Sequence, residues 1–113
     1  DARDVARHAD KPAVQRQIAQ AEIKLEAAVA QVESATVEGV GNLPPWRALA
    51  AKEFATVTAR EVVDIAVQVV GASSVSKRHE LERLYRDVRT GTLHPPNSDA
   101  VLESLGAIAL GLV

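Results

Sequence analysis

The 113-residue chain has no cysteine, no methionine, and only one tryptophan, one tyrosine and one phenylalanine. Without cysteine it can form no disulfide, no thiolate zinc site and no iron–sulfur cluster, and it has no cysteine nucleophile. With so few aromatics, any core is built from Ala, Val, Leu and Ile. The only histidines are His8, His79 and His94, and no Glu has a His three residues later, so neither a His-rich metal site nor a di-iron bundle is expected. HExxH, P-loop and GxGxxG patterns are missing as well. No stretch approaches the roughly 20 apolar residues of a membrane span, and no signal-peptide pattern opens the chain. The expectation is a cytoplasmic protein with no membrane span. A formal net charge of −2 lacks the basic surplus that phosphate backbones demand, so nucleic acid is not an expected partner. The chain starts at Asp1, which reads as an excerpt from a longer protein.

A hydrophobic content of 47% with 25% charged residues fits one globular domain spanning residues 1–113. Apolar residues recur at Val14, Ile18, Ala21, Leu25, Ala28 and Val32, alternating steps of four and three that predict a bundle helix over about 13–37. Ile23, Ala27 and Ala30 add a small-residue flank, while Glu22, Lys24 and Glu26 face elsewhere. Gly39, Gly41, Pro44 and Pro45 predict a loop over 38–45. Residues 46–70 contain no Gly or Pro and predict a second helix. Its end, VVDIAVQVV, is apolar nearly all round and implies neighbours on several sides. A third helix is predicted from Lys77 to Val88, an irregular turn from Thr90 to Asn97, and a final helix capped by Asn97 or Ser98 with Leu102, Leu105, Ile108 and Leu112 along one edge. The fold class is all-α: two long antiparallel helices and two shorter ones.

Three places can carry chemistry. The corner Gln68-x-x-Gly71-Ala72-Ser73-Ser74 either lets a ligand approach the backbone closely or is a plain helix corner. The helix KRHELERLYRDVR mixes bases with acids and reads best as a solvated face, with Glu82 and Arg86 an i,i+4 pair. The bend Leu93-His94-Pro95-Pro96-Asn97-Ser98-Asp99 is stiffened by two prolines. It either presents its polar groups to a ligand or serves as a rigid connector.

Several of these segments resemble the C-terminal end of acyl-CoA dehydrogenases. AVQVVGASS (66–74) is similar to the family's AVQ-x-x-GG-x-G turn, ELERLYRDVR (80–89) to its VERxxRDAR helix, and PAVQRQIAQAEIKLEAA (12–28) to the second helix of its C-terminal bundle. The loop after Arg89 stands where the family has YEGT. The resemblance implies an up-down helical bundle without its first helix, belonging to a homotetrameric flavoenzyme with an N-terminal helical domain and a middle β-domain. It implies FAD as cofactor, held partly across a subunit boundary, with an acyl-CoA or other small organic substrate. Gln68, Gly71 and Ala72 match positions at the adenosine-diphosphate part, Ala72 replacing a second Gly. Leu93 and His94 match residues beside the isoalloxazine ring, and Asn97 and Asp99 match those at the far end of FAD. Pro95 occupies the place of the catalytic Glu. A base on the missing first helix is one explanation. The other is likeness to the family's monooxygenases, which use reduced flavin (FAD or FMN) and O2, with His94 as the proton-handling catalytic residue. The Gly71 corner and the His94 bend are thus expected to grip one flavin, either close together in one chain or joined by assembly. A helical assembly module without catalytic role is the alternative of another class.

Overall fold

A computed structural model describes residues 9–37, 44–71 and 80–112. These form four helices in chain order: α1 (Pro12–Val37), α2 (Pro45–Val70), α3 (Glu80–Leu93) and α4 (Ser98–Ala109). No strand occurs among the described residues, so the architecture is all-α, as the periodicity predicts. The molecule is a rod of 51 × 25 × 24 Å, and α2 is its axis: α1, α3 and α4 each pack on it.

Cross-links fix the directions. Gln17 Nε2 donates to Gln68 Oε1 at 3.4 Å, Lys24 Nζ pairs with Glu61 at 2.7 Å, and Arg47 donates to Ser34 Oγ at 2.7 Å. Residue numbers rise on α1 as they fall on α2, so the two are antiparallel. The Lys24–Glu61 pair corrects the expectation that Lys24 faces away from the seam. Its long side chain reaches from the helix edge across to α2. Arg89 pairs with Asp64 at 3.1 Å while Gly91 lies against Thr56, so α3 also runs antiparallel to α2. Beyond the bend, α4 continues toward the start of α2, where Leu105 and Ile108 line an apolar groove with Trp46 and Ala50.

Local sequence sets the helix ends. Pro12 and Pro45 open α1 and α2 at the first turn, where a missing N–H leaves nothing unsatisfied. Gly71 closes α2 with φ +84°, its N–H donating to the Val67 carbonyl at 2.9 Å. That left-handed conformation favours glycine. Asn97 caps α4, its Oδ1 accepting from the Ala100 N–H at 3.0 Å, with Asp99 in the first turn. At the other end, the Leu112 N–H reaches the Ala107 carbonyl and the Gly111 N–H reaches that of Ile108. Together with Gly111 at φ +73°, this is a Schellman motif. Leu112, expected on the helix edge, therefore lies beyond the end of α4.

The third helix differs most from expectation. Its predicted start at Lys77 lies outside the described residues, but it runs on to Leu93 instead of stopping at Val88. Gly91 is part of the helix because α2 is so close. A Cβ there would stand 3.0 Å from Thr56 Cγ2. The charged face makes internal pairs, Glu82–Arg86 at 3.0 Å and Glu80–Arg83 at 3.5 Å. Arg89 crosses to Asp64 and lies 3.5 Å from the Tyr85 ring centroid.

Burial is thin. Ala28, Ala51, Thr58, Val69 and Val101 are buried, Val101 only 1% exposed. No large apolar side chain from Val62 to Val70 is exposed, as the all-round apolar pattern implies. By contrast Ile23, Leu25, Val29 and Val32 on α1 and Leu102, Ile108, Leu110 and Leu112 near the C-terminus stand open. Among the described residues no helix is long and apolar enough to cross a membrane.

Candidate functional site at the α2–α3–α4 junction

The site residues expected from sequence fall at opposite ends of α2. Gln68 is exposed in its last turn, bonded to Gln17, and Gly71 caps it; Ala72 lies outside the described residues. The bend at 94–96 sits near the other end, beside Lys52. Nineteen residues of helix separate Lys52 from Gly71, roughly 28 Å at 1.5 Å per residue. One chain therefore does not bring the Gly71 corner and the His94 bend together, which corrects the expectation of a shared grip within a single subunit.

The bend is held by a residue the sequence reading missed. Lys52 Nζ donates to the Pro96 carbonyl at 2.7 Å and to the His94 carbonyl at 3.3 Å. Backbone carbonyls outside a helix need such partners, and one ammonium here satisfies two. The His94 N–H still bonds to the Thr90 carbonyl at 3.0 Å, and its ring is exposed. Nδ1 lies 3.1 Å from the Pro95 carbonyl. In the tautomer that protonates Nδ1, this nitrogen donates to that carbonyl and leaves Nε2 as the acceptor nitrogen of the ring. The Pro95–Pro96 peptide bond is cis.

On the other side of the bend, α2, the end of α3 and the start of α4 enclose a cleft of about 430 Å³. Leu93, Asn97 and Asp99 line it, joining three of the expected residues. Val57 and Leu93 form an apolar wall, and Glu53, Arg60 and Ser98 complete a polar one. Glu53 Oε2 and Ser98 Oγ are buried without a hydrogen-bond partner among the described residues. An orphaned buried polar atom costs about 1–3 kcal/mol, so these two oxygens are weak points in the polar side of the junction. Arg60 and Asp99 share the cleft and make no ion pair among the described residues. The Asn97 carbonyl oxygen is committed to the cap, which leaves its NH2 group to donate. Nothing local in the sequence marks Glu53, Val57 or Arg60. Their spacing of four and three places them on one stripe of α2, but that this stripe meets α4 is a property of the tertiary packing.

Comparison with known proteins agrees with this architecture. The family model described as acyl-CoA dehydrogenase, C-terminal domain, matches residues 2–95. The chain is 48% identical over 60 residues to the Bacillus subtilis (strain 168) protein named "Putative acyl-CoA dehydrogenase YdbM", covering 53% of this chain and 16% of that one. It is 35% identical over 88 residues to the 3-(aryl)acrylate reductase of Clostridium sporogenes (strain ATCC 15579), covering 77% of this chain and 23% of the relative. It is 45% identical over 51 residues to the amino sugar nitrososynthase DnmZ of Streptomyces peucetius, covering 44% and 13%. The chain thus spans less than a quarter of the length of each of these relatives. No solved structure gave a significant match. A family model that covers most of the chain, on an all-helical fold, leads to one conclusion: the chain belongs to the acyl-CoA dehydrogenase family, as its C-terminal helical domain.

Proposed function

We propose that this chain is the flavin-binding and assembly domain of an FAD-dependent oxidoreductase of acyl-CoA dehydrogenase type. The observation that supports this best is the cleft itself: Leu93, Asn97 and Asp99, which the resemblance relates to flavin-contacting positions, all line it. The residues present fit such a group. The cleft sets the polar side chains of Arg60 and Asn97 beside an apolar wall of Val57 and Leu93. At the far end of α2, a Cβ added at Gly71 would meet nothing within 4 Å among the described residues, so they leave the backbone edge there open to close approach. Because the two ends are far apart, each serves a different flavin: Gln68, Gly71 and Ala72 hold the diphosphate part of one, while Leu93, His94, Asn97 and Asp99 hold another across a subunit boundary. Bound FAD supplies hydride-accepting or, when reduced, oxygen-activating chemistry. The chain's own part is to orient that group and to move a proton at His94 Nε2, with Lys52 fixing the bend that carries the ring.

A reduced-flavin-dependent monooxygenase is the second reading. Pro95 favours it, since this residue holds no proton and stands where the dehydrogenases have their base. The similarity to a protein named a nitrososynthase is compatible with it. The two readings separate in the full-length protein. Anaerobic bleaching of the flavin by an acyl-CoA marks a dehydrogenase. Reduction only by an external reductase, with oxygen then incorporated into product, marks a monooxygenase. In either case His94→Ala is expected to lower turnover about a hundredfold or more, the scale of a lost proton-transfer group. Full activity in that variant would remove His94 from the chemistry.

A further inference from the structure

We propose that Lys52 is a positioning residue that holds His94 in its Nδ1–H tautomer, which makes Nε2 the proton-accepting atom of the bend. This deepens the reading of His94 as a proton-handling group and rests on it only for the kinetic consequence. The bend is rich in acceptors and poor in donors. Residues 94–96 are His-Pro-Pro, with three carbonyls but a single N–H, since proline has none. That N–H, of His94, is spent on the Thr90 carbonyl. Each of the three carbonyls nevertheless has a donor, and the donors belong to two side chains. Lys52 Nζ donates to the His94 carbonyl at 3.3 Å and to the Pro96 carbonyl at 2.7 Å. The carbonyl between them, that of Pro95, lies 3.1 Å from His94 Nδ1. A carbonyl only accepts, so this bond requires the proton on Nδ1 and leaves the free electron pair on Nε2.

The ammonium thus fixes the peptide groups on either side of the one that selects the tautomer. The proline rings hold φ at residues 95 and 96. Rotation about ψ is the main freedom left to the Pro95 carbonyl, and pinning both neighbouring carbonyls removes it. Charge suits Lys52 to this task. It makes no ion pair among the described residues, and a charged donor holds its acceptors more strongly than a neutral amide does. Its place follows from the helix contact beside it. Thr56, one turn further along α2, is the residue against which Gly91 packs, so the close approach of α3 brings the bend that follows it over Lys52. A plain connector would need the bend held in shape, but would be indifferent to which ring nitrogen carries the proton.

The test is solid-state nitrogen NMR of the full-length protein with isotope-labelled histidine, at a pH where the His94 ring is neutral, its signals assigned by their loss in His94→Gln. The native protein is expected to show a protonated Nδ1 and an unprotonated Nε2. In Lys52→Met, which keeps an apolar stem and removes the donor, the ring is expected to return to a mixture of both tautomers. Turnover (kcat) is expected to fall about tenfold with little change in KM, as for a proton-transfer group displaced rather than deleted. Lys52→Arg, whose fork of donors can span both carbonyls, is expected to restore the native signature and most of the rate. Lys52→Ala gives a second reading of the same change if Lys52→Met does not fold. The inference is overturned if native His94 carries its proton on Nε2, or if the folded Lys52 variants without a donor keep the native Nδ1–H signature. The flavin reading fails separately, through a folded protein that takes up no FAD yet shows the same Lys52-dependent tautomer.

Discussion

Gly91→Leu is expected to detach α3 from α2 and to lower the thermal midpoint of the protein by roughly 10–20 °C, from about 3 kcal/mol of lost stability. The reason is geometric. A Cβ at Gly91 already falls 3.0 Å from Thr56 Cγ2 and 3.3 Å from Thr56 Cβ. Thr56 cannot rotate away freely, because its hydroxyl donates to the backbone carbonyls of Lys52 and Glu53 at 2.9 and 3.2 Å. Alanine is a milder case. It gains up to about 1 kcal/mol of helix propensity over glycine, which offsets much of a contact that needs only a few tenths of an ångström of movement. Gly91→Ala should therefore be near neutral, and Thr56→Gly should restore much of what Gly91→Leu loses, a coupling that a double-mutant cycle reads directly. Unchanged melting in Gly91→Leu would contradict the close approach of the two helices.

The second large effect concerns the open apolar faces. Leu25, Val29 and Val32 line a groove on α1 together with Ala28 and Ala55, and Trp46, Leu105 and Ile108 line another. Leu25, Val29, Val32, Trp46 and Ile108 stay 37–48% exposed. Burying what remains open is worth about 1 kcal/mol each, and in a two-fold contact each residue counts twice. Surfaces of this kind mark interaction sites. Self-association is expected, and replacing both Leu25 and Val29 by Glu should weaken it a hundredfold or more in sedimentation equilibrium, because two like charges at i,i+4 would then be buried without partners. A protein that stays monomeric at high concentration would remove assembly from the function and, with it, the proposal that two subunits share each flavin. Association without any bound flavin would instead favour the reading as a helical assembly module.

Much of the fold is legible in the sequence because aliphatic spacing and punctuation agree. The three-and-four stripe from Val14 to Val32 and the uninterrupted run from Trp46 to Val70 are both helices, closed or opened by the residues that chemistry favours there: Pro12, Pro45, Gly71 and Asn97. Gly91 misleads because a glycine in a helix pattern signals either a stop or a close neighbour, and only Thr56, 35 positions earlier, says which. The site is half legible for the same reason. Leu93, Asn97 and Asp99 follow one another at a bend that announces itself through its prolines. Lys52, Glu53 and Arg60 acquire their roles only when α2 lies beneath that bend. The separation of Gly71 from His94 was half legible: the length of the helix over 46–70 follows from its residues, but the docking of the His94 bend beside Lys52 is set by tertiary packing.

The flavin content of the purified full-length protein tests the central claim most directly. The account predicts a flavin absorbance spectrum, with FAD released on denaturation in proportion to the chains present, and lowered by substitution of Gln68 in the last turn of α2 as well as of Asn97 at the start of α4. A correctly folded protein that shows no flavin absorbance even after FAD is added would contradict it.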